Sequence, residues 1–179
     1  MSKIVVLDPG HGGMDSGAIY GMMAEKHFNL SLALRIAADI KLFDPSITVE
    51  FTRITDSMVP LATRAVRANN LRASLYVSIH HNAGGGTGFE SHIHPQASYI
   101  ARDLQAELQR RIEYATSDFR TNLRKPKQSN FQVLRDTKMP ALLIETLFID
   151  NEQDILLITN PNWHCVVSHT IAEVIVNAK

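Results

Sequence analysis

The 179-residue chain is 45% apolar and 20% charged, the make-up of one globular domain able to bury roughly 70% of its unfolded surface. Its 18 Lys and Arg balance its 18 Asp and Glu, which argues against partners held by bulk charge, whether nucleic acid or an anionic membrane surface. Cys165 is the only cysteine, so an internal disulfide and a multi-cysteine zinc cluster are excluded.

The opening MSKIVVLDPG has too short an apolar run, and no small-residue cleavage site, for a signal peptide. Synthesis in the cytoplasm is therefore expected. No apolar stretch is long enough to span a bilayer, so membrane insertion is not expected. Residues 3–8 (KIVVLD) read as a short strand stopped by Pro9-Gly10. A glycine-rich loop runs to about Ala24, and Phe28, Leu32, Ile36 and Ile40 then recur every four residues in an amphipathic helix over 25–42. Residues 47–53 (ITVEFTR) form a second predicted strand, 60–72 a helix with proline at its start, and 75–80 (LYVSIH) a third strand ending in a second glycine loop.

Residues 89–94 read as a further strand, 96–114 as a long helix and 115–130 as a polar surface loop. Two more strands are predicted at 131–135 (FQVLR) and 141–148 (ALLIETLF), and helices near 152–158 and 162–177 close the chain. No repeat or linker divides it, so residues 1–179 are expected to form one domain. The alternation predicts an α/β fold, a single domain with a twisted, mostly parallel sheet of about six strands flanked by helices on both faces.

All nine glycines fall within residues 10–21 and 84–88, and His11, His80, His81, His92 and His94 lie in or beside the same two loops. Ligands collect at the carboxyl ends of such strands, so these loops are expected to form the flexible rim of a site. His11 and His80 each follow a strand, and Glu25 opens the first helix. Two imidazoles and a carboxylate form a catalytic zinc set with one open position, although the donors suit other divalent metals too. His80 and His81 point to opposite faces, so only one can reach the metal. Glu145 sits in a strand that otherwise reads as buried, which is costly without a charged or reactive neighbour. It is placed to act as a general base beside a metal, or to pair with a buried Arg53 or Arg135. Cys165, flanked by Val166 and Val167, reads as a core thiol.

VVLDPGHGGMDSGA, AEKHFNL, FTRITDSMVPLATRAVRANN, SIHHNA, GFES and NFQVLRDTKMPALLIETLFIDN follow one another in an order that resembles the zinc-dependent N-acetylmuramoyl-L-alanine amidases, over nearly the whole chain. The resemblance implies peptidoglycan as partner and hydrolysis of the amide between muramic acid and L-alanine. It places one zinc ion on His11, Glu25 and His80, preferring His80 over His81 because the family has a small residue after its histidine. It places catalysis on Glu145. It also implies cleft lining or support for Glu90, loop-holding roles for Arg64 and Asn69, and a loop-fixing role for Asn82. The donor set alone leaves open a zinc peptidase acting within the stem peptide, or a wall-binding module with a structural metal. Without an export signal, a phage lysin or an excised catalytic domain is the expected setting, with any wall-binding domain lying elsewhere.

Overall fold

The computed structural model describes residues 3–178; Met1, Ser2 and Lys179, included in the expected domain, lie outside the described residues. The chain runs through β1 (Ile4–Pro9), a small hairpin of β2 (Ile19–Tyr20) and β3 (Met23–Ala24), α1 (Glu25–Phe43), β4 (Thr48–Phe51), α2 (Leu61–Asn70) and β5 (Leu75–Asn82). There follow β6 (Glu90–Ile93), α3 (Tyr99–Ala115), β7 (Lys127–Gln128), α4 (Gln132–Arg135), β8 (Ala141–Phe148), α5 (Glu152–Ile158) and α6 (Pro161–Asn177). Six strands form one sheet in the order β4, β1, β5, β8, β6, β7. The first four run parallel, β6 is antiparallel to β8, and β7 pairs parallel with β6. This is the expected α/β domain.

Strand alternation sorts side chains into two unequal layers. Val5, Leu7, Val77, Ile79, Leu142 and Ile144 join the larger core, where α1 packs against α6 and α6 against α3. Val6, Tyr76 and Leu143 join a small core beneath α2 and α4. Asp8, Ser78, His80 and Glu145 alternate onto that thinly covered side. The larger layer closes because α6 buries Trp163, Val167, Ile171 and Ile175, a stripe repeating every four residues. Cys165 falls off that stripe and is exposed, so it is not the core thiol its valine neighbours suggested.

Three other expectations change. Residues 131–135 form no strand: Arg135 N–H donates to Phe131 O, and the resulting helical turn lays the adjacent Val133 and Leu134 together onto the small core. Period two would have sent them to opposite faces; a five-residue apolar run does not distinguish the two. The polar stretch 115–130 holds a 3-10 turn, Ser117–Phe119, and the edge strand β7. The first glycine loop contains the antiparallel β2/β3 hairpin.

The thin layer is organised around Asp8, whose carboxylate is 1% exposed. Its Oδ1 accepts from Arg64 Nη1 at 2.7 Å and Thr52 Oγ1 at 2.6 Å, and its Oδ2 accepts from Tyr76 and Ser78 hydroxyls, both at 2.6 Å. Burial alone would push this carboxyl up, but Arg64 and the three hydroxyls together hold it below the usual carboxylate value. A carboxyl depressed in the folded state contributes stability that is present above its unfolded pKa and lost as pH falls through the folded one. Replacing Arg64 by Met strands the charge, and urea unfolding near neutral pH should show a loss of about 3–5 kcal/mol. In that variant burial raises the Asp8 pKa, so the deficit should shrink between about pH 7 and about pH 4. A deficit that stayed constant would show that the carboxylate is not its source.

Candidate metal centre

β1 and β5 lie in register with Pro9 opposite Ile79, so the loops leaving them start side by side. Gly10 allows the closest approach: a Cβ there would overlap the His80 imidazole ring. At Gly17, φ is +63° and an added Cβ would crowd both Glu25 and His11. These glycines close the loop tightly around the site, in contrast to the flexible rim expected from their placement. His11 itself adopts φ 60°, a left-handed backbone that is uncommon outside glycine. Two buried arginines hold it there. Arg64 donates to the Pro9 and His11 carbonyls, each at 2.8 Å, and Arg53 donates to Pro9 O at 3.0 Å and Gly10 O at 2.8 Å.

Glu25 is the first residue of α1 and reaches the same point from across the sheet end. Its Oε2 lies 3.2 Å from His11 Nε2, and its Oε1 lies 3.0 Å from His80 Nδ1. One donor atom from each of the three residues falls within 4.8 Å of the others. Zinc bonds of about 2.0–2.2 Å require small shifts from such spacings. The neighbours fix each ligand further. Asp15 Oδ2 accepts from His11 Nδ1 at 2.9 Å, leaving Nε2 free to face Glu25. Asn29, one turn after Glu25, donates Nδ2 to Glu25 Oε1 at 3.0 Å, and Ala18 N–H donates to Oε2 at 2.9 Å.

The electrostatics favour a cation. Burial would raise the Glu25 carboxyl, but hydrogen bonds from His11 and His80 outweigh it and hold the group far below the usual carboxylate range. Burial would lower the His11 imidazole, but Glu25 and then Asp15 raise it to about 9. His80 is likewise raised, chiefly by Glu25 and Glu145 against its own burial. Both shifts favour positive charge beside Glu25, the position that a divalent ion would take.

Glu145 pairs directly with His80 across β5 and β8, so both side chains share a face. Its Oε2 is buried and has no hydrogen-bond partner. Burial raises its carboxyl to about 7, with Glu25 and Glu90 adding to the effect and His80 opposing it. The residue lines a cleft of about 360 Å³ with His11, His80, Val59, Leu143 and Phe131. Neither candidate arginine pairs with it: Arg53 serves loop carbonyls, and Arg135 contacts Asp136 and Asn130.

His81 points to the opposite layer, where its Nδ1 meets Asn29 Oδ1 at 2.8 Å and burial lowers its pKa to about 3. His92 bonds Ser129 and Glu90, and His94 contacts Asn130; neither joins the cluster. Asn69 bridges to Asp136 and Lys138, and Asn82 Oδ1 accepts from Ala83 N–H. Sequence reasoning missed Asp15 and Asn29. Their only signal was spacing, each lying four residues after a ligand candidate.

Residues 5–177 match the N-acetylmuramoyl-L-alanine amidase family. The chain belongs to that family. It is 40% identical to the N-acetylmuramoyl-L-alanine amidase CwlM of Bacillus licheniformis over 153 residues, 84% of this chain and 58% of that protein. It is 37% identical to the endolysin of Bacillus phage SPP1 over 166 residues, 91% of this chain and 61% of that protein. The chain thus spans about three-fifths of the length of these relatives. The crystal structure of an N-acetylmuramoyl-L-alanine amidase from Clostridium difficile 630 superposes with a TM-score of 0.90 at 31% identity, covering 98% of this chain and 95% of that one.

For this amidase-family site, protonation and metal binding compete for the same atoms. A ligating imidazole must be neutral, so below about pH 9 an ion has to displace the His11 proton. Zinc affinity should therefore rise with pH up to about 9 and then level off. Calorimetry in buffers of different ionisation enthalpy should register proton release near neutral pH. A flat affinity with no released proton would contradict the ligand assignment.

Proposed function

We propose that this chain hydrolyses the amide between N-acetylmuramic acid and L-alanine in peptidoglycan, with one zinc ion held by His11, Glu25 and His80 and with Glu145 as the proton-transfer group. The observation that carries the reading is the unpartnered, buried Glu145 Oε2 at the cleft, one strand from His80. Family membership and the His-Glu-His set support it. Two neutral imidazoles and a carboxylate are donors zinc accepts, and three protein ligands leave a position open.

When bound, zinc supplies a Lewis acid that polarises the lactyl carbonyl and makes water more acidic. Glu145 takes the proton of the attacking water and returns it to the alanine nitrogen as the C–N bond breaks. An amine leaves poorly unless it is protonated, so the same carboxyl must serve as base and then as acid. A pKa raised to about 7 suits both tasks. Asp15 orients His11, while Arg53 and Arg64 keep the loop backbone in place. Val59, Pro60 and Phe131 give the cleft an apolar wall.

The relatives extend beyond the matched region, and balanced charge provides no overall attraction to an anionic wall. Wall attachment is accordingly assigned to the cleft or to a separate binding domain. Likeness to a phage endolysin supports a lytic setting, with the enzyme made in the cytoplasm and acting after release.

Digestion of purified peptidoglycan followed by mass spectrometry tests the bond assignment. Intact stems with a new L-alanine amino terminus and unbroken glycan strands are expected, whereas cuts between stem residues would assign a peptidase. Chelation should abolish turnover and zinc should restore it; failure of zinc to do so, with wall binding retained, would assign a binding module. Glu145→Gln should keep its metal content and lose about 10²–10⁴-fold in kcat/KM. A general base works only when ionised, so wild-type kcat/KM should fall as pH drops through the Glu145 pKa. That limb is expected near about 7, and it should vanish in the Gln variant. A limb that persisted there would belong to another group.

A further inference from the structure

Beyond Glu145, the thinly covered face continues across β6 to β7. Glu90 stands directly opposite Glu145 in the β6/β8 pair, and Lys127 is paired with His92, two residues along β6. The Glu90 carboxylate is buried, its side chain only 2% exposed, yet it meets two cations: Lys127 Nζ at 2.7 Å and the Arg124 guanidinium. His92 Nε2 adds a contact at 3.2 Å, but burial lowers that imidazole's pKa. One carboxylate against two cations leaves one positive charge uncompensated. The cationic side chains remain 36% and 43% exposed.

This pair is rigidly built. The Arg124 guanidinium lies 5.2 Å from the Phe148 ring centroid, its backbone N–H donates to Phe89 O at 3.0 Å, and its carbonyl accepts from Gln109. The Lys127 carbonyl accepts from Gln105 Nε2. Solvated lysines and arginines on a surface pay entropy to hold one geometry; here the buried Glu90 and the tied backbone hold it beforehand.

We propose that Arg124 and Lys127 form an anion subsite that receives a carboxylate on the residue following alanine in the peptide stem. The inference rests on the amidase reading. In that reaction Glu145 delivers its proton to the alanine nitrogen, so alanine and the peptide beyond it lie on the Glu145 side of the metal centre. Moving further in the same direction across the sheet leads to Glu90 and its cations. Adjacent strands are about 4.8 Å apart and an extended residue spans about 3.5 Å, so a group one residue past alanine comes within reach. Glu90 is then a positioning residue, and the two cations are the groups that touch substrate.

Two muramyl dipeptides with the same scissile amide test this, one carrying a free carboxylate and the other a carboxamide on the residue after alanine. The wild type should prefer the carboxylate by about tenfold in kcat/KM, the scale of a charge-assisted contact. In the Arg124→Gln/Lys127→Gln double variant the ratio should fall to about one, while Arg124→Lys/Lys127→Arg should keep a preference. Calorimetric binding of both peptides to Glu145→Gln protein, with and without the double Gln substitution, reads the same ratio without turnover. A wild-type ratio near one, or a ratio untouched by the double substitution, overturns the subsite while leaving the amidase reading intact. Cleavage of neither peptide at the muramyl amide overturns both.

Discussion

Asp8 holds an ionised carboxylate at 1% exposure, a placement that costs several kcal/mol per charge unless the group is paired and fully hydrogen-bonded. Arg64 from α2, Thr52 from the turn after β4, and Tyr76 and Ser78 from β5 meet that requirement. The same guanidinium continues to the carbonyl of His11. The charge that stabilises the thin layer and the loop that presents the first imidazole are therefore one network. His11 keeps its left-handed backbone because this network, together with Arg53 and the close-packed Gly10, leaves it no alternative.

Three carboxylates stand near one another at this end of the sheet, and their neighbours give each a different protonation behaviour. Glu25 is held by two imidazoles and stays ionised. Glu90 is pushed up by burial, but Lys127, Arg124 and His92 together hold it down. Glu145 lies between them without an ion pair, and burial outweighs the opposing pull of His80 and carries it to about 7. Separation of the pKa values of neighbouring groups in this way is how one site obtains both a permanent charge and a proton carrier. The arrangement needs the thin layer. The face carrying α1, α3 and α6 is filled with apolar side chains, while α2 and α4 cover too little of the other face to close it.

Much of the fold was legible because it rests on periodicity. The repeat of Leu32, Ile36 and Ile40 marks α1, and the near-continuous apolar run at 141–148 marks a buried strand. The readings that failed concern short or ambiguous runs. FQVLR fits either period, and its helical turn was decided by the small core that takes Val133 and Leu134 together. Cys165 looked apolar from its neighbours, but its angle on α6 turns it outward. Of the two glycine loops, the first meets the ligands, where Gly10 and Gly17 permit close contact; the second, residues 84–88, is not among the residues that line the cleft.

By itself the sequence determined the long strands and helices in their order, the two glycine-bounded loops, and the residue types at His11, Glu25, His80 and Glu145, because periodicity and side-chain chemistry are local properties. Only the tertiary structure decided that β1, β5 and β8 lie side by side, that Asp15 and Asn29 brace the ligands, that Arg53 and Arg64 serve backbone carbonyls and not Glu145, and that Glu90 carries two cations. Those facts depend on strand register and on the competition of buried charges for partners, and both are settled only when segments distant in the chain are packed together.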